Sequence, residues 1–187
     1  MVAENIRLHL AYLKVALNTA LEYRMNFIIQ LITMILNDVV WIVFWGLFFH
    51  RFTQVGSWEF SDIVMLYTIV TISFGWSGTL FGNRNKIAEM ISEGKLDFYL
   101  TLPKNILYHL LITRVNWFFL GDLVFGLILA FIAVPLRQLP LLFFFCLTGG
   151  IIFIAFAVIV SSLSFFLGDT RNLSRNLFMG TIAISTY

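Results

Sequence analysis

The sequence predicts an all-α polytopic membrane protein, in which an N-terminal interfacial helix precedes at least four transmembrane helices. Of its 187 residues, 60% are hydrophobic and 12% are charged. Soluble domains carry about 45–50% apolar and about 25% charged residues. The 21 phenylalanines also suit a surface in contact with lipid. The net charge of +2 gives no electrostatic footprint for nucleic acid, so we expect no nucleic-acid partner.

The first predicted element is an amphipathic helix over residues 4–24. Its apolar residues recur at spacings of three and four from Ile6 to Ala20, and charged residues occupy the opposite face. A helix of this kind beside a membrane span typically lies flat among the lipid headgroups. Packing against another subunit is the alternative interpretation.

Four apolar stretches follow, each long enough to cross a hydrocarbon core of about 30 Å as a helix. They lack the strict alternation of barrel strands. A helical segment from Asn105 can lead into the third, and the fourth should tilt or bend near Gly149 and Gly150. The predicted spans are residues 26–49, 63–81, 115–134 and 139–167.

After the fourth span, a polar turn leads into a fifth apolar segment, residues 177–187. A segment this short cannot cross a bilayer. It is therefore either re-entrant or interfacial, or the sequence is a fragment of a longer protein. We favour the fragment.

The positive charges predict the orientation of the spans. Ten lysines and arginines lie in the N-terminal segment, in the loop between spans two and three, and after span four. The two opposite loops contain only Arg51 and Arg137. Positive residues accumulate in short cytoplasmic loops. We therefore expect a multi-pass protein whose N-terminus and middle loop are cytoplasmic.

Two acids, Asp38 and Asp122, lie inside predicted spans. A carboxylate at a helix centre costs about 2.5–3.5 kcal/mol on the insertion scale, so both should face the protein interior or a water-filled path. Counting 1.5 Å per residue from the start of each predicted span places the two acids at different depths in the membrane. At the depth of Asp38, no cation and no second acid can be identified. They line a substrate path or make structural polar contacts, and we favour the structural role.

The second span contains a G-x-x-x-G pattern at Gly78 and Gly82. Small residues at this spacing permit close helix approach, so both glycines are candidate packing positions. The pattern does not indicate whether the partner helix belongs to the same chain.

The most informative segment is the predicted cytoplasmic loop over residues 84–104. A short helix there presents Ile87, Met90 and Ile91 on one apolar face. Gly94 is suited to cap this helix, and Pro103 breaks the chain before the next span. A short helix is marginal in water alone, so its apolar face should dock onto a cytoplasmic subunit or lie against the bilayer.

No catalytic motif is visible in the sequence. It contains no Gly-rich phosphate loop, no His-Glu-x-x-His and a single cysteine, Cys146. We therefore expect a non-catalytic protein with no bound cofactor and no metal site.

The loop resembles that of permease subunits of ATP-binding-cassette type-2 exporters. The segment Ile91-Ser-Glu-Gly-Lys-Leu-Asp97, with Leu100 and Pro103, is similar to the family pattern I-x-x-G-x-L-D-x-x-L-x-x-P. Further similarities are the Tyr-Arg pair within Ala20–Phe27, Gly56–Trp58, and Leu66-Tyr67.

This resemblance implies a six-span permease in the plasma membrane, the inner membrane of a bacterium. Two permeases, alike or different, would work with two ATPase subunits that bind ATP and Mg. The coupling loop would dock on the ATPase through residues of this pattern and of the apolar face: Ile87, Met90, Ile91, Gly94, Lys95, Leu96, Asp97, Leu100 and Pro103. The alternative function is a stand-alone membrane carrier or channel that uses Asp38 and Asp122.

Overall fold

A computed structural model describes residues 2–102, 105–168, 172–173, 176–177 and 179–180. Within these ranges the chain is helical and forms no strand, which confirms the predicted all-α class. Three 3-10 turns, at Gly82–Lys86, Trp117–Phe119 and Leu136–Gln138, connect the helices. The helices are α1 (Val2–Glu22), α2 (Arg24–Arg51), α3 (Phe60–Leu80), α4 (Ile87–Ser92), α5 (Leu96–Leu100), α6 (Ile106–Ile112), α7 (Leu120–Ala133), α8 (Leu139–Ser162) and α9 (Ser164–Leu167).

Three helical segments are long and apolar enough to cross a membrane. They are Arg24–Arg51, Phe60–Leu80 and Leu136–Leu167. A fourth candidate is the bent pair Ile106–Ile112 and Trp117–Ala133, whose axes differ by 70°. Most of the predicted fifth apolar segment, residues 177–187, lies outside the described residues.

The third predicted span, residues 115–134, is helical only from Trp117, and the segment from Asn105 forms a separate helix. Asparagines begin both helical segments, and Asn116 lies at the break. The Asn105 side chain accepts a hydrogen bond from the Tyr108 backbone N–H, so it caps α6. The Asn116 side chain likewise accepts from the Phe118 N–H, 3.2 Å away, and starts a new helical turn.

Helix α3 is the centre of the bundle and packs against both α7 and α8. Glycines allow the close approach: a Cβ on Gly78 would meet the Phe119 ring at 2.5 Å, and one on Gly82 would meet the Asn116 nitrogen at 2.7 Å. The predicted packing glycines therefore face the α6–α7 bend of the same chain. On the other side, Ser73 and Trp76 both donate to the Cys146 carbonyl of α8 at 3.0 Å.

The connections divide the bundle into two ends. The loop end carries residues 81–102 and the bend between α6 and α7, whereas the hairpin end carries the short connections at residues 52–59 and 134–138. Helix α1 lies at the loop end, where Trp117 donates its indole N–H to the Ala16 carbonyl at 3.1 Å. Ile6 and Leu10 on α1 remain about half exposed.

Candidate functional site

The first candidate site is the segment between α3 and α6 at the loop end. Its helix α4 turns Ile87 inward, where this side chain is 4% exposed and packs with Leu110 and Leu111. Met90 and Ile91 pack against the same cluster, as does Val158 of α8. The expectation that this apolar face is open for another subunit is thus corrected: the protein's own α6 and α8 cover it.

The end of α4 is fixed by Gly94, which adopts a φ of +69°. The Gly94 N–H donates to the Ile91 carbonyl at 3.1 Å, and the Lys95 N–H donates to the Met90 carbonyl at 2.9 Å. These two bonds form a Schellman motif, so the predicted capping role of Gly94 is confirmed. An alanine there would be strained, because L side chains rarely adopt this backbone conformation.

Beyond Gly94 the chain forms α5, a short helix that the sequence pattern did not predict. Phe98 and Leu100 on α5 are 65% and 57% exposed, and Asp97 is also exposed. Leu96 instead packs inward with Tyr99 against the cluster around Ile87. We name the exposed part of this segment, residues 92–95, 97, 98 and 100, the loop tip. Pro103 lies outside the described residues.

The 3-10 turn before α4 contains a buried cation, Arg84, which is 0% exposed. Its guanidinium donates to the Ser77 hydroxyl and lies 5.1 Å from the Phe74 ring and 5.8 Å from the Phe119 ring. Burial lowers the pKa of Arg84 to about 10, while the charge of Asp122 raises it, so the side chain remains cationic at neutral pH. In the sequence, Arg84 is one of the positive charges of the loop between spans two and three, and nothing there indicates its burial.

The second candidate site is the buried polar cluster that Arg84 joins. Asp38 of α2 is 4% exposed and Asp122 of α7 is 2% exposed. The Tyr67 hydroxyl of α3 donates to Asp38 Oδ1 at 2.9 Å, and the two carboxyl groups lie close enough to interact electrostatically. The inward orientation of both acids matches the expectation, but the view that Asp38 lacks a second acid at its depth is wrong.

The error has a geometric cause. Helix α2 has 28 residues, which makes it about 42 Å long and longer than a bilayer requires. Counting depth from its first apolar residue therefore placed Asp38 too far from the loop end. Asp122 lies in the first turn of α7, directly beyond the bend, and the two acids meet there.

A third group of contacts holds α1 against the rest of the loop end. The His9 ring nitrogens lie 3.1 Å from the Tyr108 hydroxyl and 3.3 Å from the Leu80 carbonyl. Tyr12 lies 2.9 Å from a ring nitrogen of His109. Burial lowers the pKa of His9, and its hydrogen bond to the Leu80 carbonyl partly offsets this. The described residues contain no group of three or more side chains able to hold a metal ion.

Comparison with known proteins gives one finding. A family model described as "ABC-2 family transporter protein" matches residues 34–187, which is most of the chain. No curated protein and no solved structure matches. The matched range includes both candidate sites, the loop tip and the buried polar cluster.

Proposed function

This chain belongs to the ABC-2 transporter family and is a transmembrane component of an ABC transporter; from that membership we infer that it exports a substrate at the expense of ATP bound by a separate subunit. Family membership implies association with an ABC ATPase. The ATPase supplies the ATP and Mg site, and this chain contributes no catalytic residue. Two permeases and two ATPases would make up the exporter, with the N-terminus and the loop end in the cytoplasm.

The loop tip is the surface we assign to the ATPase. It combines exposed apolar side chains, Phe98 and Leu100, with exposed charged residues, among them the Glu93–Lys95 ion pair of 2.6 Å. Large apolar side chains with a polar rim are typical of docking surfaces. Gly94, Lys95, Asp97 and Leu100 remain candidates for this contact from the sequence pattern. Ile87 becomes an anchor within the permease.

The single observation that carries the mechanism is the fixation of α4. This helix is short, yet Ile87 and its neighbours are buried against α6 and α8, and the turn before it continues directly from α3. A displacement at the loop tip would therefore move α3 through packed side chains, because close-packed groups transmit strain. Coupling then requires no flexible joint between the ATPase and the spans.

The carrier alternative is less well supported. Asp38 and Asp122 are almost fully buried, and Asp38 accepts a hydrogen bond from the Tyr67 hydroxyl. Neither acid lines any of three surface clefts, whose volumes are about 360, 420 and 380 Å³. An acid that carries an ion needs access to water or to a binding cavity, and these contacts point to a structural role.

The docking surface can be tested with a double variant, Phe98→Asp with Leu100→Asp, in the permease co-expressed with its ATPase. Truncating and charging two exposed apolar anchors should cost binding several kcal/mol, because hot-spot side chains cost about 2 kcal/mol or more each. We expect the ATPase to be lost on purification and coupled hydrolysis to fall to background. Membrane insertion should be unchanged, since both side chains are exposed.

The matched control is Phe52→Asp with Leu136→Asp, the same chemistry at the hairpin end. Phe52 is 53% exposed and Leu136 is 87% exposed. This control should retain the ATPase in full. If the loop-tip variant also keeps a stoichiometric ATPase and normal coupled turnover, the docking surface lies elsewhere.

A further inference from the structure

The turn after α3 and the bend after α6 complete each other's helix ends. The last four carbonyl groups of a helix have no partner within that helix. At the end of α3, the Thr79 carbonyl accepts a hydrogen bond from the Asn116 backbone N–H at 3.2 Å. At the end of α6, the Leu110 carbonyl accepts from the Asn83 side-chain amide at 2.7 Å. Each helix end is therefore capped by an asparagine that follows the other helix.

Asn83 also contacts two further elements of the loop end. Its amide nitrogen lies 3.0 Å from the hydroxyl oxygen of Thr113, just beyond α6, and 3.3 Å from the sulfur of Met90 on α4. The Thr113 hydroxyl in turn donates to the same Leu110 carbonyl at 2.9 Å. Asn83 is 5% exposed. A neutral amide suits this position, because its nitrogen carries two N–H donors for two oxygen acceptors.

The backbones approach closely beside these hydrogen bonds. A Cβ on Gly82 would lie 2.7 Å from the Asn116 nitrogen and 2.9 Å from the Arg114 carbonyl oxygen. On the other side of the turn, Ile87 at the start of α4 packs with Leu110. The segment that leads into the loop tip is thus attached to the end of α6 twice, through the Asn83 amide and through packed apolar side chains.

We propose that Asn83 is a positioning residue that makes the α6–α7 bend follow the coupling loop, so that a displacement at the loop tip reaches the third span as well as α3. The cap stands on the geometry, whereas its use in coupling rests on the proposed function. The turn that contains Asn83 continues directly from α3, so α3 moves with the loop in any case. The third span is broken, and its two parts follow only if the bend is held. Asn83 holds the bend, because it joins that turn to the last turn of α6.

Hydrogen exchange of the purified permease, measured by mass spectrometry, tests the cap. Asn83→Leu keeps the branched shape of the side chain and removes both N–H donors. Loss of this buried hydrogen bond should raise exchange over residues 110–119 about fivefold, through more frequent local opening. Thr113→Val removes one acceptor and should raise it about twofold. Unchanged exchange in Asn83→Leu, or in Thr113→Val should Asn83→Leu not fold, would overturn the cap.

The matched control is Asn105→Ala, which removes a side-chain cap from the opposite end of the same helix. Asn105 accepts a hydrogen bond from the Tyr108 N–H at 3.0 Å, and its side chain is exposed. Exchange should then rise over residues 105–109 and stay at the wild-type rate over residues 110–119. This control separates a general weakening of α6 from the loss of its attachment to the turn after α3.

The positioning role is tested in the complex with the ATPase. Asn83→Leu should retain a stoichiometric ATPase, because the loop tip is unchanged, but coupled hydrolysis should decrease several-fold. Thr113→Val should show a smaller decrease, and Asn105→Ala none. Normal coupled hydrolysis in both Asn83→Leu and Thr113→Val, or an equal decrease in Asn105→Ala, would refute the positioning role. An ATPase that does not bind even the wild type would refute the proposed function, and the exchange result would still decide the cap.

Discussion

Helices α2 and α3 follow one another in the chain and both qualify as membrane spans, yet the protein uses them in opposite ways. In the most apolar stretch of α3, 56% of the residues are buried, whereas the corresponding share in α2 is 6%. The buried side of α3 carries threonine, serine and glycine, while α2 presents isoleucine, leucine and valine outward. Asp38 is one of only two buried residues on α2.

The contrast shows what determines the inside of a membrane protein. Lipid is as apolar as leucine, so large apolar side chains gain little by turning inward, and small residues that permit close contact decide which helix is central. Helix α3 is buried because Gly75 lets the Leu123 backbone approach and Gly78 makes room for the Phe119 ring. Gly82, just beyond α3, likewise lies against the Asn116 backbone. Hydropathy alone would predict α2, the more apolar helix, to be the more buried of the two, which is the opposite of what the structure shows.

The largest expected effect comes from matched glycine substitutions on the two helices. A Cβ on Gly75 would lie 2.7 Å from the Leu123 Cα, so Gly75→Ala must push backbone apart and should cost about 3 kcal/mol. A Cβ on Gly46 of α2 would meet only the Phe60 ring at 3.8 Å. Gly46→Ala should therefore be neutral or slightly stabilising. Unfolding midpoints in detergent compare the two, and equal losses would break the contrast.

A smaller difference is expected for two isoleucines. Ile72 on α3 is 3% exposed and Ile32 on α2 is 48% exposed. Ile72→Ala leaves a cavity and should lower the free energy of unfolding by about 2 kcal/mol, near the low end of core truncations because lipid replaces water as the reference. Ile32→Ala should change it by less than about 0.5 kcal/mol. A comparable loss for Ile32→Ala would show that α2 is covered in the measured state.

The smallest effect concerns the last turn of α3, which α1 contacts through His9. Burial lowers the pKa of His9 in the folded protein, so the unfolded chain binds more protons as the pH falls below about 6.5. The free energy of unfolding therefore decreases progressively as the pH falls from about 6.5 toward the lower pKa that His9 has in the folded protein. His9→Gln should flatten this part of the stability profile. His50→Gln, at the exposed hairpin end of α2, should not.

The sequence predicted much of this fold because spans and caps are local properties. Apolar runs located α2, α3 and α8, and Gly94 was identified as the cap of α4. Intramembrane cost alone predicted that Asp38 and Asp122 face inward. The resemblance carried by the loop pattern pointed to the family that the comparison then established.

What the sequence could not supply depends on contacts between distant residues. Arg84 looked like a loop charge because the phenylalanine and the acid that surround it lie in α7 and the turn before it. Ile87 looked available because the leucines that cover it belong to α6. Asn116, an N-cap residue, contained the signal for the α6–α7 bend, but the apolar residues on both sides of it concealed that signal.

The bend has a consequence for how the chain enters the membrane during synthesis. It separates the seven residues of α6 from α7. The insertion machinery therefore meets α7 as a separate short apolar helix, with Asp122 in its first turn. Such a segment is a poor substrate for independent release into lipid, because it is short and a carboxyl group within a span opposes insertion. The hairpin of α2 and α3 is synthesised earlier and already holds Asp38 and the glycine surface. We therefore expect α7 to leave the translocon together with that hairpin, so that α2 and α3 act as an intramolecular chaperone for the third span.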